Sequence, residues 1–212
     1  GDGGAATIAK VNSPNGVAAD GSGNIYIADL NNQRIRKINS TGIISTIAGS
    51  GSFGFSGDGS AATAAAMTYP YSVAVDGSGN VYFADQSNHR IRKIASGIIS
   101  SIAGTGTLGY NGDGIDATAA QLYSPYGVAT DGSGDLYIAD QSNNNIRKID
   151  TSGIITTVVG TGANSPVING PGTSATLNQP RDLKFDINDN LYITDANNNM
   201  IREYVPSTGM IS

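Results

Sequence analysis

The chain has 212 residues, enough for a sizeable core, with a net charge of −5 and only 14% charged residues. No long basic run is present, which argues against a surface that follows nucleic-acid phosphates, and no cysteine is present, which excludes a disulfide scaffold, thiolate zinc sites and cysteine catalysis. No apolar run reaches the length of about 18 residues that a membrane-spanning helix needs, so membrane insertion is not expected. The 29 glycines, with abundant Ser, Thr, Asn and Ala, fit a turn-rich extracellular or cell-surface protein.

In chain order, the first landmark is Gly1-Asp2-Gly3. The same tripeptide returns at 57–59 and 112–114, so the chain is expected to begin inside a longer or processed protein, and no secretory signal is read at this end. A longer segment then occurs four times: GVAADGSGNIYIAD at 16–29, SVAVDGSGNVYFAD at 72–85, GVATDGSGDLYIAD at 127–140 and DLKFDINDNLYITD at 182–195. Anchored on Asp20, Asp76, Asp131 and Asp186, the steps are 56, 55 and 55 residues. So regular a period means one supersecondary unit repeated and stacked.

The second copy shows what the unit is. Ser72–Val75 is small, apolar and β-prone, and Gly77-Ser78-Gly79 supplies a turn that tolerates positive φ. Asn80–Ala84 alternates, with Val81 and Phe83 opposite Tyr82. A turn at Asp85–Asn88 leads to a third strand, RIRKI at 90–94, and Ser96-Gly97 turns into a fourth, IISSIA at 98–103. Four short antiparallel strands form a sheet that cannot stand alone, because it exposes apolar groups on both faces. Radial stacking buries both, so the predicted fold is all-β, a β-propeller of four-stranded blades, with a two-sheet sandwich as the alternative. The blades are placed at 15–49, 71–104, 126–160 and 181–212 of a single propeller region. Helix content is expected to be slight, with candidates in the alanine-rich Ser60–Met67 and its counterpart Asp116–Leu122.

These residues resemble the NHL-repeat propellers. The resemblance rests on a strand ending in Asp, a short Asn-bearing turn and an Arg-rich strand: YIADLNNQRIRKI from Tyr26, YFADQSNHRIRKI from Tyr82, YIADQSNNNIRKI from Tyr137 and YITDANNNMIREY from Tyr192. The linker over 104–131 is similar to that of the long-linker bacterial variety. The fourth copy departs most, with Met200 where the first two carry Arg34 and Arg90, and Gly170-Pro171-Gly172 in place of Gly-Asp-Gly. The resemblance implies a closed ring of about six blades, of which four are present here, so the chain is expected to be an arc of a larger ring, with a ring closed by these four blades alone or half of an assembly as the alternatives.

Propeller geometry puts the turn between strands two and three on the same face as the long inter-blade linkers, where binding usually resides. On that face each innermost strand starts at a proline followed by Asn15, Tyr71, Tyr126 or Arg181, and the linkers add Phe53, Phe55 and Tyr110. Flat rings with polar handles are recognition anchors, so these seven residues are the ligand-binding candidates, for a protein or carbohydrate partner. Packing at blade junctions is the competing role.

The recurring Asp29, Asp85, Asp140 and Asp195, each three residues before an asparagine, read as structural, because a catalytic site is unique and these are not. Arg36, Arg92, Arg147 and Arg202 are expected to pair with carboxylates or to span neighbouring blades. The Asp20, Asp76 and Asp131 turns imitate the start of a calcium loop but lack its distal bidentate Glu, so tight-turn chemistry is the reading and no metal is expected, with weak calcium binding as the alternative. His89 is the single histidine and Glu203 the single glutamate, which leaves no multi-histidine zinc site and no confident Ser–His–Asp set. The reading is a non-catalytic interaction module with no cofactor and no nucleic-acid partner. Its alternatives are a self-associating scaffold and a fragment of a propeller hydrolase or lyase.

Overall fold

The computed structural model describes residues 1–164 and 167–212, in two compact units, Gly1–Ile102 and Ala103–Ser212. The first unit holds two blades. Blade 1 consists of β1 (Pro14–Ala19), β2 (Ile25–Asp29), β3 (Arg34–Ile38) and β4 (Ile44–Ala48), in the order β1-β2-β3-β4. Blade 2 consists of β5 (Ser60–Ala61), β6 (Pro70–Val75), β7 (Val81–Asp85), β8 (Arg90–Ala95) and β9 (Ile98–Ala103). The second unit holds blade 3, with β10 (Ile115–Asp116), β11 (Pro125–Thr130), β12 (Leu136–Asp140), β13 (Asn145–Ile149) and β14 (Ile154–Val159). It also holds blade 4, with β15 (Gly170–Pro171), β16 (Pro180–Phe185), β17 (Leu191–Asp195), β18 (Met200–Val205) and β19 (Met210–Ile211). All named pairings are antiparallel, the meander expected of β-propeller blades.

Blades 2, 3 and 4 carry a fifth strand that the four-strand reading did not contain. In blade 2 the order is β5-β9-β8-β7-β6, so two linker residues preceding the blade pair with its outer edge. Blade 1 has the same feature in reduced form, a bridge between Ala5 and Ile43. Covering an outer edge blunts a row of free backbone groups. The start of each linker thus leaves one blade, and its end belongs to the next.

The expected helices at Ser60–Met67 and Asp116–Leu122 are absent, and among the described residues the helical segments are single 3-10 turns. Ser60–Ala61 is strand and Ala62–Ala64 one turn, after which Ala65 is extended. Tertiary bonds override the alanine propensity. Ala62 N–H donates to Gly97 O, while Ala62 O and Ala65 O accept from Gly49 and Ser50. Backbone groups committed to a neighbouring strand cannot close an α-helical ladder. Ala117–Ala119 repeats the arrangement, bonded to Gly104 and Gly153.

Within each unit the two blades bury one core. In the first, Tyr26, Ala28 and Ile35 of blade 1 meet Val73, Val81 and Phe83 of blade 2, with the linker's Ala62, Ala65 and Met67 closing one side. In the second, Tyr137, Ala139 and Ile146 meet Leu183, Leu191 and Ile193, with Ala175 and Leu177 in the linker's place. The period-two alternation read around Val81 and Phe83 points both into this core. Fully burying a side chain such as Phe83 is worth roughly 1.5–3 kcal/mol.

Candidate functional site

Each blade is organised around a buried carboxylate that ends its second strand. Asp29, Asp85, Asp140 and Asp195 are fully buried, and each accepts a backbone N–H from the linker before its own blade: Asn12, Thr68, Tyr123 and Asn178, at 2.7–2.8 Å. The asparagine three residues later donates to the same carboxylate. The arginine two strand positions further on points at it as well, at 3.3 Å for Arg36, 3.2 Å for Arg92, 3.9 Å for Arg147 and 3.4 Å for Arg202. Burial pushes Asp85 up to about 6 against its donors and the Arg92 charge. Asp140, with the longest arginine distance, is pushed by burial up to about 7.

These arginines are themselves buried, which sequence reasoning missed. It also missed their second partner. Arg36 pairs with Asp2, Arg92 with Asp58 at 2.8 Å and Arg147 with Asp113 at 2.8 Å, while Arg202 donates to the Asn169 amide oxygen at 2.6 Å. The signal was present: the aspartate of each Gly-Asp-Gly stands 34 residues before its arginine in the first three copies. Two carboxylates flanking one guanidinium offset the cost of burying it.

The linkers and the second-to-third-strand turns do share a face within each blade. Asn88 Nδ2 donates to Gly54 O and Asn143 Nδ2 to Gly109 O, so the linker lies against the turn. The candidates divide on that face. Phe53 is the most exposed linker aromatic, 62% accessible, and stands edge-on to Tyr69 with 5.7 Å between ring centroids. Asn15 and Arg181 are exposed, whereas Tyr71 and Tyr126 are half-buried. The Arg181 guanidinium lies over the Tyr126 ring at 5.7 Å. Phe55 is placed differently, with Arg90 at 3.9 Å and Arg92 at 4.8 Å from its ring. Tyr110 covers Arg147 at 4.8 Å in the same way. Both rings therefore shield a buried ion pair on one side while exposing the other.

Adjacent innermost strands approach so closely that only glycine fits. A Cβ on Gly16 would stand 2.7 Å from the Ser72 Cα, and one on Gly127 2.4 Å from the Arg181 carbonyl oxygen. Within each unit the two blades are also tied by a side chain that reaches the residue before the second blade's inner-strand proline. Gln33 Oε1 accepts from Tyr69 N–H at 2.8 Å, and Asn144 Oδ1 from Gln179 N–H at 2.9 Å. The donating residues hold positive φ, 54° at Tyr69 and 52° at Gln179.

In the turns considered for calcium, the carboxylate oxygens serve the turn. Asp20 accepts from the Ser22 and Asn24 backbones, the Asn24 amide at 2.7 Å and the Tyr26 hydroxyl at 3.0 Å. The Asn24 side-chain bond leads in holding its carboxyl down to about 2. Asp76 repeats the set, and Asp131 accepts from Ser133 and Asp135. Among the described residues no three of His, Asp and Glu gather as a metal site would. His89 closes a 3-10 turn at φ 53°, half-buried, with burial and then the Arg90 charge lowering its pKa. Glu203 accepts the Tyr192 hydroxyl.

A family profile described as the teneurin NHL domain matches residues 1–56 and 107–167, more than half of the chain. Teneurin-1 from Gallus gallus is 31% identical over 220 residues, an alignment that takes in 92% of this chain and 8% of that protein. The chain therefore spans a small fraction of the curated relatives it matches. A structural genomics protein of unknown function from Bacteroides thetaiotaomicron has a TM-score of 0.74 at 26% identity, over 95% of this chain and 48% of that one. A catalytically inactive virginiamycin B lyase from Staphylococcus aureus has a TM-score of 0.59 at 20% identity, over 95% and 55%. The last is a likeness of fold alone. The profile match and the teneurin-1 alignment agree with the repeat read from the residues, and the chain belongs to the teneurin NHL domain family.

Proposed function

We propose that this chain is a non-catalytic binding module of an exported or cell-surface protein, recognising a protein or glycan through the face that carries the long inter-blade linkers. The observation that carries the reading is the exposed aromatic surface there, led by Phe53 against Tyr69. Aromatic side chains present large flat apolar area, and such residues dominate interface energetics. Kinship with the teneurin NHL domain, rather than with a reaction, supports the same direction. So does the use of the repeated Asp and Arg side chains, which are occupied with linkers and with one another. The enzyme likeness concerns the propeller scaffold, which hosts unrelated chemistries.

The test replaces Phe53, Tyr71, Tyr126 and Arg181 with alanine in the full protein. Partner capture from a surface-protein or glycan library is expected to fall by at least about tenfold, or 1.4 kcal/mol, with the β-sheet circular dichroism unchanged. Capture equal to wild type would remove the reading. A loss of self-assembly instead would favour the scaffold alternative.

A further inference from the structure

The repeats diverge at the first position of the third strand, and in blade 3 that position borders a cavity. In blade 1 that position is Arg34, whose Nη2 donates to Ser50 O. In blade 2 it is Arg90, laid over Phe55 at 3.9 Å with its Nη1 donating to Asn88 O. In blade 3 it is Asn145, a much shorter side chain. A cavity of about 410 Å³ lies there, bordered by Tyr110, Asp113, Ser142, Asn145, Thr157 and Thr161, all within the second unit. Its size falls in the usual range of small-ligand sites, roughly 300–1,000 Å³. Asn145 is only 4% accessible, and its buried Oδ1 accepts no hydrogen bond. A buried amide oxygen without a donor is costly, so a turn of the Asn145 side chain that brings it to a ligand hydroxyl gains affinity.

We propose that this cavity is a binding pocket for a neutral saccharide unit. The inference rests on the binding-module reading above and narrows it to one site and one ligand class. Charge excludes the obvious ions. Asp113 Oδ1 already accepts from Arg147 Nη2 at 2.8 Å and from the Thr157 hydroxyl at 3.0 Å, so the border offers no unmatched cation or anion. What remains is hydroxyl and amide chemistry from Ser142, Thr157, Thr161 and Asn145. Each hydroxyl both donates and accepts, as sugar hydroxyls do. Tyr110 supplies the flat surface against which a pyranose lays its C–H face. One side of its ring covers Arg147, and the residue stays 47% accessible. Asn145 sets specificity, because the arginine of the first two repeats would fill the space.

The experiment titrates the isotopically labelled full protein with methyl glucoside, methyl galactoside and N-acetylglucosamine, following amide resonances by NMR. At least one sugar is expected to shift the Asn145 side-chain amide saturably. N145R, which restores the residue of the sister repeats, is expected to weaken that binding by at least about tenfold. Y110L, which removes the platform without filling the cavity, provides the second variant should N145R misfold, and is expected to weaken it several-fold. No saturable shift at Asn145 with any of the three sugars would overturn the pocket, as would sugar binding unchanged in both variants. The broader reading fails differently: sugar binding that survives N145R but is lost on replacing Tyr71, Tyr126 and Arg181 sinks the pocket and leaves recognition at the inner strands standing.

Discussion

Arg92 shows how much one side chain carries in this repeat. Its guanidinium is fully buried between Asp85, also buried, and Asp58, which is more than a third exposed. Coulomb attraction and desolvation nearly cancel for such a group, so its value lies in what happens when one partner goes. R92M strands the Asp85 carboxylate and is expected to lower the unfolding free energy by about 3–5 kcal/mol. D58N is expected to cost no more than about 1 kcal/mol, since the exposed partner is screened by solvent. The fourth copy already carries the milder change, with Asn169 Oδ1 accepting from Arg202. Urea unfolding of both variants checks the pair, and equal losses would mean that the outer aspartate is the principal partner. The arginines were visible in RIRKI, but an alternating strand pattern places them on a face without saying what covers it. Phe55, Tyr110 and the Gly-Asp-Gly aspartates cover them, and all three come from the linkers.

At the scale of turns and strands, the tight joint is where inner strands of adjacent blades meet. Gly16 and Gly127 are required there by approach rather than by φ, because a Cβ would run into backbone that cannot move aside. G127A is therefore expected to destabilise the second unit by about 1–3 kcal/mol, the usual cost of overpacking. G21A, in an open hairpin turn with nothing nearby, is expected to change little. Thermal melts of the two variants make the comparison, and a neutral G127A would show that the strands part easily. The hairpin turns were legible in the sequence because their chemistry is local: Asp20 bonds residues two, four and six positions on. The alanine segments at 60–67 and 116–122 were misread for the opposite reason. Their backbone partners, Gly97 and Gly153 among them, lie far along the chain, and no local propensity reports them.

For the protein as a whole, the buried carboxylates predict how stability follows pH. Burial raises Asp140 to about 7 and Asp85 to about 6, against 3.8 when solvated. Between pH 4 and 7 the folded chain then holds carboxyl protons that the unfolded chain has released, so these two groups make stability fall as pH rises through that window and level off above it, outweighing His89, whose lowered pKa acts in the opposite sense. Urea midpoints at pH 5 and pH 7.5 are expected to show the loss, and D140N to flatten the slope. A midpoint that rises over this interval would mean that the arginines keep these carboxylates ionised throughout. The sequence by itself determined the repeated unit, its four-strand meander, its turns and its propeller class, because a 55-residue period and period-two alternation are properties of the chain's order. Only the tertiary structure decided which carboxylate meets which arginine, that linker residues complete each outer edge, and that the short Asn145 borders a cavity. Those outcomes depend on groups brought together from distant positions, and contact between them is created by packing.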